Sequence, residues 1–226
     1  MTKPMDYQQM PHHSELASAI DAIKTDCSHY LDSLRLLGRP LYRGVDCLDE
    51  TAHLDVQPSK KLSAMDSSVM NDIFNSHLAS LGLLPRKNVF YATSDVTMAA
   101  KFGIPFYIFP TDCYDFTYGK GVKDLYLKLE NWLRYDAIDE ATTARIRSML
   151  RDTAGDMGIM ETYCSRHPAM RKFIDSAFLS QISFFNDTLA TPIKDGIEIW
   201  LSGSYHAIPV SAISEGELLS QLLSDE

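Results

Sequence analysis

The sequence predicts an α+β fold, on three observations. Near the N-terminus Leu16, Ile20, Ile23, Cys27, Tyr30, Leu34 and Leu37 recur at roughly three- and four-residue intervals, the period of an amphipathic helix. The runs PLYRGV, KNVFYATSD and IPFYIFP are rich in β-branched and aromatic residues and read as strands. After a mainly helical stretch from about Leu125 to Leu189, IEIWL and SYHAIPV return to β character. Strands on both sides of a helical block indicate one domain over 1–226 whose sheet is completed late.

Taken in order, Ser14 is placed to cap a first helix over 13–38, and Gly38 followed by Pro40 stops it. PLYRGV is the first strand, and the polar, aperiodic stretch from Asp46 to Ser63 reads as a loop. Asp66 opens a second helix that carries Val69, Met70, Ile73, Phe74, Leu78 and Leu81, with Gly82 where a left-handed cap belongs. KNVFYATSD ends in Thr93, Ser94 and Asp95, which suit the start of a short helix, DVTMAAKFG. The prolines of IPFYIFP fit the ends of a strand better than its middle. Tyr114, Phe116 and Tyr118 alternate at strand spacing and read as packing residues. The helical insertion, 125–189, contains IDEATTARIRSMLRD and PAMRKFIDSAFLSQISFF. IEIWL, a Ser-Gly turn and SYHAIPV then predict a hairpin over 196–211, and SEGELLSQLLSDE an acidic final helix.

With 226 residues, 45% of them hydrophobic, the chain has ample material for a packed core. No apolar run approaches the ~20 residues of a membrane span, and the N-terminal stretch lacks the apolar segment of a signal peptide. The expectation is a cytoplasmic protein without membrane contact. Cys27, Cys47, Cys113 and Cys164 are scattered, with no metal-ligand spacing, and read as reduced thiols. A net charge of −9 disfavours stable nucleic-acid binding, leaving Arg86 and Lys87 as a local basic patch suited at most to a brief encounter.

Candidate functional residues come from three places. Arg43 in LYRGV has two readings: a half-exposed strand-end arginine paired with a carboxylate, or a bidentate phosphate fork on the floor of a cleft, with Gly44 admitting a ligand to the backbone. In VFYATSD, Phe90 and Tyr91 offer a stacking face while Thr93, Ser94 and Asp95 offer hydroxyl and capping groups; the same residues also read as ordinary core and cap. In IEIWL the period of two puts Glu198 and Trp200 on one face and Ile197, Ile199 and Leu201 on the other. A carboxylate beside an aromatic there reads either as a solvent-facing residue or as a group that stabilises a cation during glycosidic cleavage. Lys60 and Lys61 read as a solvated pair. His53, His77, His167 and His206 read as isolated surface or satisfied histidines, His206 being the one near Glu198 in sequence.

The ordered set of an aromatic-Arg-Gly strand, an aromatic-x-Ala-Thr-Ser strand end before an A-x-x-F-G helix, and a late glutamate resembles the mono-ADP-ribosyltransferase superfamily. The likeness runs from about Leu41 to Val210. The segment from Arg86 to Tyr126, with IEIWLSGSYHAIPV, also resembles small phage-encoded proteins. The resemblance implies a split β-sandwich that binds NAD as co-substrate without a metal and passes ADP-ribose to a macromolecular acceptor, a host protein if phage-encoded. Arg43 would hold the pyrophosphate side and Gly44 would neighbour nicotinamide. Ala92, Thr93 and Ser94 align with the family's Ser-Thr-Ser, Ala92 departing at the serine that orients the glutamate. A second registration makes Tyr91 or Phe90 the ring stacked on nicotinamide, with Phe102 and Tyr107 as further aromatic walls. Glu198 would be the catalytic glutamate, and Gly196 stands where many protein-modifying members carry an acceptor-choosing Glu or Gln. Arg43, the strand end from Tyr91 to Ser94 and Glu198 are expected to line one cleft. Water as the acceptor would make the protein an NAD glycohydrolase. Loss of catalysis would leave a binding or virion-associated protein of the same fold.

Overall fold

The computed structural model describes residues 13–45, 69–87, 89–132, 164 and 168–224. The expected loop at Asp46–Ser63, the helix start at Asp66, Cys47, His53, Lys60, Lys61, His167 and most of the helical insertion lie outside them, as do the side chains of His13 and Ser14. The architecture is α+β, with two antiparallel sheets. The chain divides into two compact units, one of Met1–Pro58, Ala92–Tyr114 and Gly203–Glu226, the other of Ser59–Tyr91 and Asp115–Ser202.

The first unit is built on a three-stranded sheet in the order β1 (Leu41–Val45), β3 (Ile104–Pro110), β7 (Tyr205–Pro209). Pairing sets Leu41 opposite Ile108, Tyr42 opposite Tyr107 and Arg43 opposite Phe106, so Arg43 and Tyr107 point to opposite faces. The helices α1 (His13–Asp26), α2 (Ser28–Leu37) and α7 (Glu215–Leu223) pack together, and the Tyr42 and Tyr107 side chains join that layer. The Tyr42 hydroxyl donates to Glu215 at 2.6 Å and the Tyr107 hydroxyl to the Ile213 carbonyl at 3.4 Å. The Tyr30 hydroxyl accepts from the Leu41 N–H at 2.9 Å, fastening α2 to the entry of β1.

The single helix expected over 13–38 is two helices, parted at Cys27 (φ −122°, ψ 31°). The cause is tertiary. Asp112, just beyond β3, accepts from the Ser28 hydroxyl at 2.6 Å and the His29 N–H at 2.9 Å, supplying α2 with its N-terminal cap. Gly38 (φ 63°) ends α2 with its N–H on the Leu34 carbonyl, as its position in the sequence predicts.

The second unit carries a four-stranded sheet in the order β2 (Phe90–Ala92), β6 (Ile199–Leu201), β4 (Phe116–Gly119), β5 (Phe184–Phe185). Its core joins Met70, Phe74 and Leu78 of α3 (Val69–Ser80) to Leu125 and Leu129 of α5 (Leu125–Asn131) and to Ile174, Phe178 and Trp200. Two expectations change here. Phe184 and Phe185, read as helical, form β5 because a strand edge is open to them at Tyr118 and Gly119. IEIWL and SYHAIPV do not make a hairpin over 196–211: β6 pairs with β4, β7 with β3. The turn residues are bound elsewhere, the Ser202 N–H by the Asp115 carbonyl and the Ser204 carbonyl by the Thr111 N–H. Residues 199–201 are buried throughout, as suits a strand inside a sheet rather than one arm of an exposed ribbon.

Candidate functional site

In the first unit Arg43 lies on the β1 face that carries Leu41, Ile108 and Tyr205, all buried. Its guanidinium carbon is 5.9 Å from the centre of the Tyr205 ring. Its Nη1 is buried without a hydrogen-bond partner, and among the described residues Arg43 forms no ion pair. A buried donor left unsatisfied costs about 1–3 kcal/mol, so the open Nη1 is a feature that a bound acceptor would relieve.

Thr93 continues from β2 and bridges to β1, the Tyr42 N–H donating to the Thr93 carbonyl at 2.7 Å and the Thr93 N–H to the Tyr42 carbonyl at 2.9 Å. Arg43 and the Thr93–Ser94 corner are therefore held together within one unit. The Thr93 hydroxyl accepts from the Asp95 N–H at 3.2 Å. Asp95 in turn caps the short helix α4 (Val96–Ala99), accepting from the Thr97 and Met98 N–H groups. Gly44 has a reason to be glycine within the chain itself. A Cβ there would stand 2.1 Å from the Ala99 carbonyl oxygen, so the chain's own turn presses on that side. Tyr107 is corrected: it is buried in the helix-covered core on the face opposite Arg43 and cannot wall the same pocket. Phe102, by contrast, is 61% exposed.

In the second unit Phe90 is buried and Tyr91 half-buried, while Ala92, the first residue of the next segment of the first unit, is buried. Glu198 sits one residue before β6. The short helix α6 (Ala190–Asp195) ends at Gly196 in the left-handed conformation (φ 63°), which accounts for a glycine there on backbone grounds. The Ile197 N–H closes on the Pro192 carbonyl and the Glu198 N–H on the Val122 carbonyl.

The carboxylate so placed meets three donors. Arg86 Nη2 lies 2.9 Å and Trp200 Nε1 2.6 Å from its Oε1, and the Leu125 N–H 3.1 Å from its Oε2. Arg86 was the residue sequence reasoning misplaced: it is no surface patch but only 4% exposed. Its guanidinium carbon stands 4.9 Å from the ring centres of Tyr91 and Trp200, 5.1 Å from that of Tyr126 and 5.5 Å from that of Phe74. The loop that carries it is pinned by the Leu83 N–H on the Leu78 carbonyl and the Leu84 N–H on the Thr117 hydroxyl. Burial works against the charge on Arg86, and Glu198 together with the Tyr91 and Tyr126 rings lifts its pKa above the ordinary value. A signal was available: a lone acid inside the apolar run IEIWL needs a base.

Of the four histidines singled out, the two among the described residues are satisfied, His77 by Asp175 at 2.7 Å and His206 by Asp26 at 2.9 Å. An open cleft of about 400 Å³ in the second unit, lined in part by Lys123, Lys128 and Trp132, touches none of the predicted site residues. No helix among the described residues is long and apolar enough to cross a membrane.

The class of protein defined by fold and site is an α+β chain with two antiparallel sheets, a half-buried arginine whose Nη1 has no partner, and a buried arginine paired with a glutamate while its own Nε and Nη1 have none among the described residues. Comparison with family models, curated proteins and solved structures finds no match.

Proposed function

We propose that the chain is an NAD-dependent mono-ADP-ribosyltransferase of the split β-sandwich type, acting in the cytoplasm on a macromolecular acceptor, a host protein if the gene is carried by a phage. The observation that carries this reading is Arg43, whose Nη1 is buried and without an acceptor. A guanidinium kept in that state is suited to the pyrophosphate of a dinucleotide, which accepts from two N–H groups of the planar fork at once. Thr93 and Ser94, tied to β1 by the bridge to Tyr42, support it as neighbouring polar groups. In the reaction the C1′–N bond of the nicotinamide riboside breaks with its electron pair leaving on nicotinamide. The acceptor nucleophile forms the new bond at C1′ and loses its proton. Glu198 accepts a hydrogen bond from a ribose hydroxyl and stabilises the cation.

A second reading rests on Glu198 itself, which already binds Arg86, Trp200 and Leu125 and in this reading is only a structural counter-ion. The protein would then bind a nucleotide or a partner without turning it over.

Incubating the full chain with labelled NAD, with and without lysate, separates these. Nicotinamide release with label on an acceptor, lost in Arg43→Ala while the fold is intact, is the transferase outcome. Release without labelled acceptor is glycohydrolase activity. Absence of both release and an NAD-dependent thermal shift would sink the proposal.

A further inference from the structure

The three donors on Glu198 do not exhaust it. A carboxylate offers about four lone-pair sites, two on each oxygen. Arg86 and Trp200 take both on Oε1, and Leu125 takes one on Oε2. One Oε2 lone pair stays open, on a side chain that is 14% exposed while its Arg86 partner is 4% exposed. The planar Arg86 cation cannot turn among four rings, and Trp200 is wholly buried, so both donors hold Oε1 in a single orientation. The small Ala92 side chain has no polar group to give.

We propose that Arg86 and the Trp200 indole are positioning residues, which fix the Glu198 carboxylate with its free Oε2 lone pair directed to a ligand hydroxyl. This rests on the transferase reading and deepens it: the orienting donors are a ring-enclosed guanidinium and an indole, both on Oε1, rather than a hydroxyl on the neighbouring strand. A preorganised acceptor of this kind acts where charge develops, so its loss is felt in turnover more than in NAD affinity.

The test compares steady-state nicotinamide release by the unaltered chain, Trp200→Phe, Arg86→Lys, Arg86→Met and Leu78→Ala. Trp200→Phe keeps a ring and removes only the indole N–H, and it is expected to lower kcat about tenfold with KM for NAD nearly unchanged, the loss of one hydrogen bond to a charged group. Arg86→Lys keeps the charge without the planar fork and is expected to retain part of the rate, more than Arg86→Met. Leu78→Ala opens the same core without touching Glu198, and it is expected to lose stability but not kcat. Undiminished kcat in Trp200→Phe, or an equal fall in Leu78→Ala, overturns the positioning role alone. No release by the unaltered chain overturns the transferase reading and this inference with it. Trp200→Phe carries the decision if the Arg86 variants fail to fold.

Discussion

A guanidinium enclosed by four rings and held by one carboxylate cannot lose that carboxylate without leaving a charge in an apolar core. Glu198→Ala is therefore expected to cost about 3–5 kcal/mol in urea unfolding, whether or not the protein is an enzyme. Gly44→Ala should cost about 1–3 kcal/mol, because the added methyl meets the Ala99 carbonyl and the main chain must shift. The same assay on Arg43→Ala should show little loss, since Arg43 forms no ion pair among the described residues and its removal deletes an unsatisfied donor. Residue identity made Arg43 and Glu198 legible as candidates. It could not tell that one had an open donor and the other a buried counter-ion, because partners 112 positions apart in the chain leave no local pattern.

At the scale of elements, caps were read well. Gly38 and Asp95 do what their residue types suggest, since a left-handed stop and a carboxylate cap are local chemistry. The break at Cys27 was not readable, because its cause, Asp112, arrives from the end of β3. Hydrogen bonds from Ser28 and the His29 N–H hold the Asp112 carboxyl below its ordinary 3.8. The stabilisation is thus present above pH 3.8 and lost as pH falls through the lower folded value. Thermal midpoints of the wild type and Asp112→Ala should differ at neutral pH and converge under acid. Cys27, between the two helices, is buried and its thiol is pushed up to about 12 by burial first and by Asp26 and Asp112 next. A raised folded value means stability is complete below about 9.0 and falls as pH climbs toward 12. Alkylation mapped by mass spectrometry should reach exposed Cys113 in the native protein and spare Cys27 until unfolding.

For the whole molecule the decisive fact is how the chain is shared between the units, which it passes between four times across five segments. Neither unit is a continuous stretch, so neither should survive excision. A fragment of residues 115–202 lacks α3 and β2, hence Met70, Ile73, Phe74 and Leu78 of its core, and Arg86 for Glu198. It is expected to lack cooperative unfolding and dispersed amide signals; a folded fragment would contradict the assignment of that core. The mistaken hairpin belongs to this scale as well. Two short strands joined through Ser202, Gly203 and Ser204 look like neighbours in any local reading, and only the partners offered by β3 and β4 part them.

The sequence alone determined the α+β class, most helices and strands, and the residues worth testing, because periodicity, capping and strand propensity act over a few positions. Tertiary structure decided which strands pair, why Gly44 and Gly196 are glycines, and that Arg86 belongs to Glu198. Those depend on distant segments meeting, where burial turns a hydrogen bond or a charge from a minor contribution into a requirement.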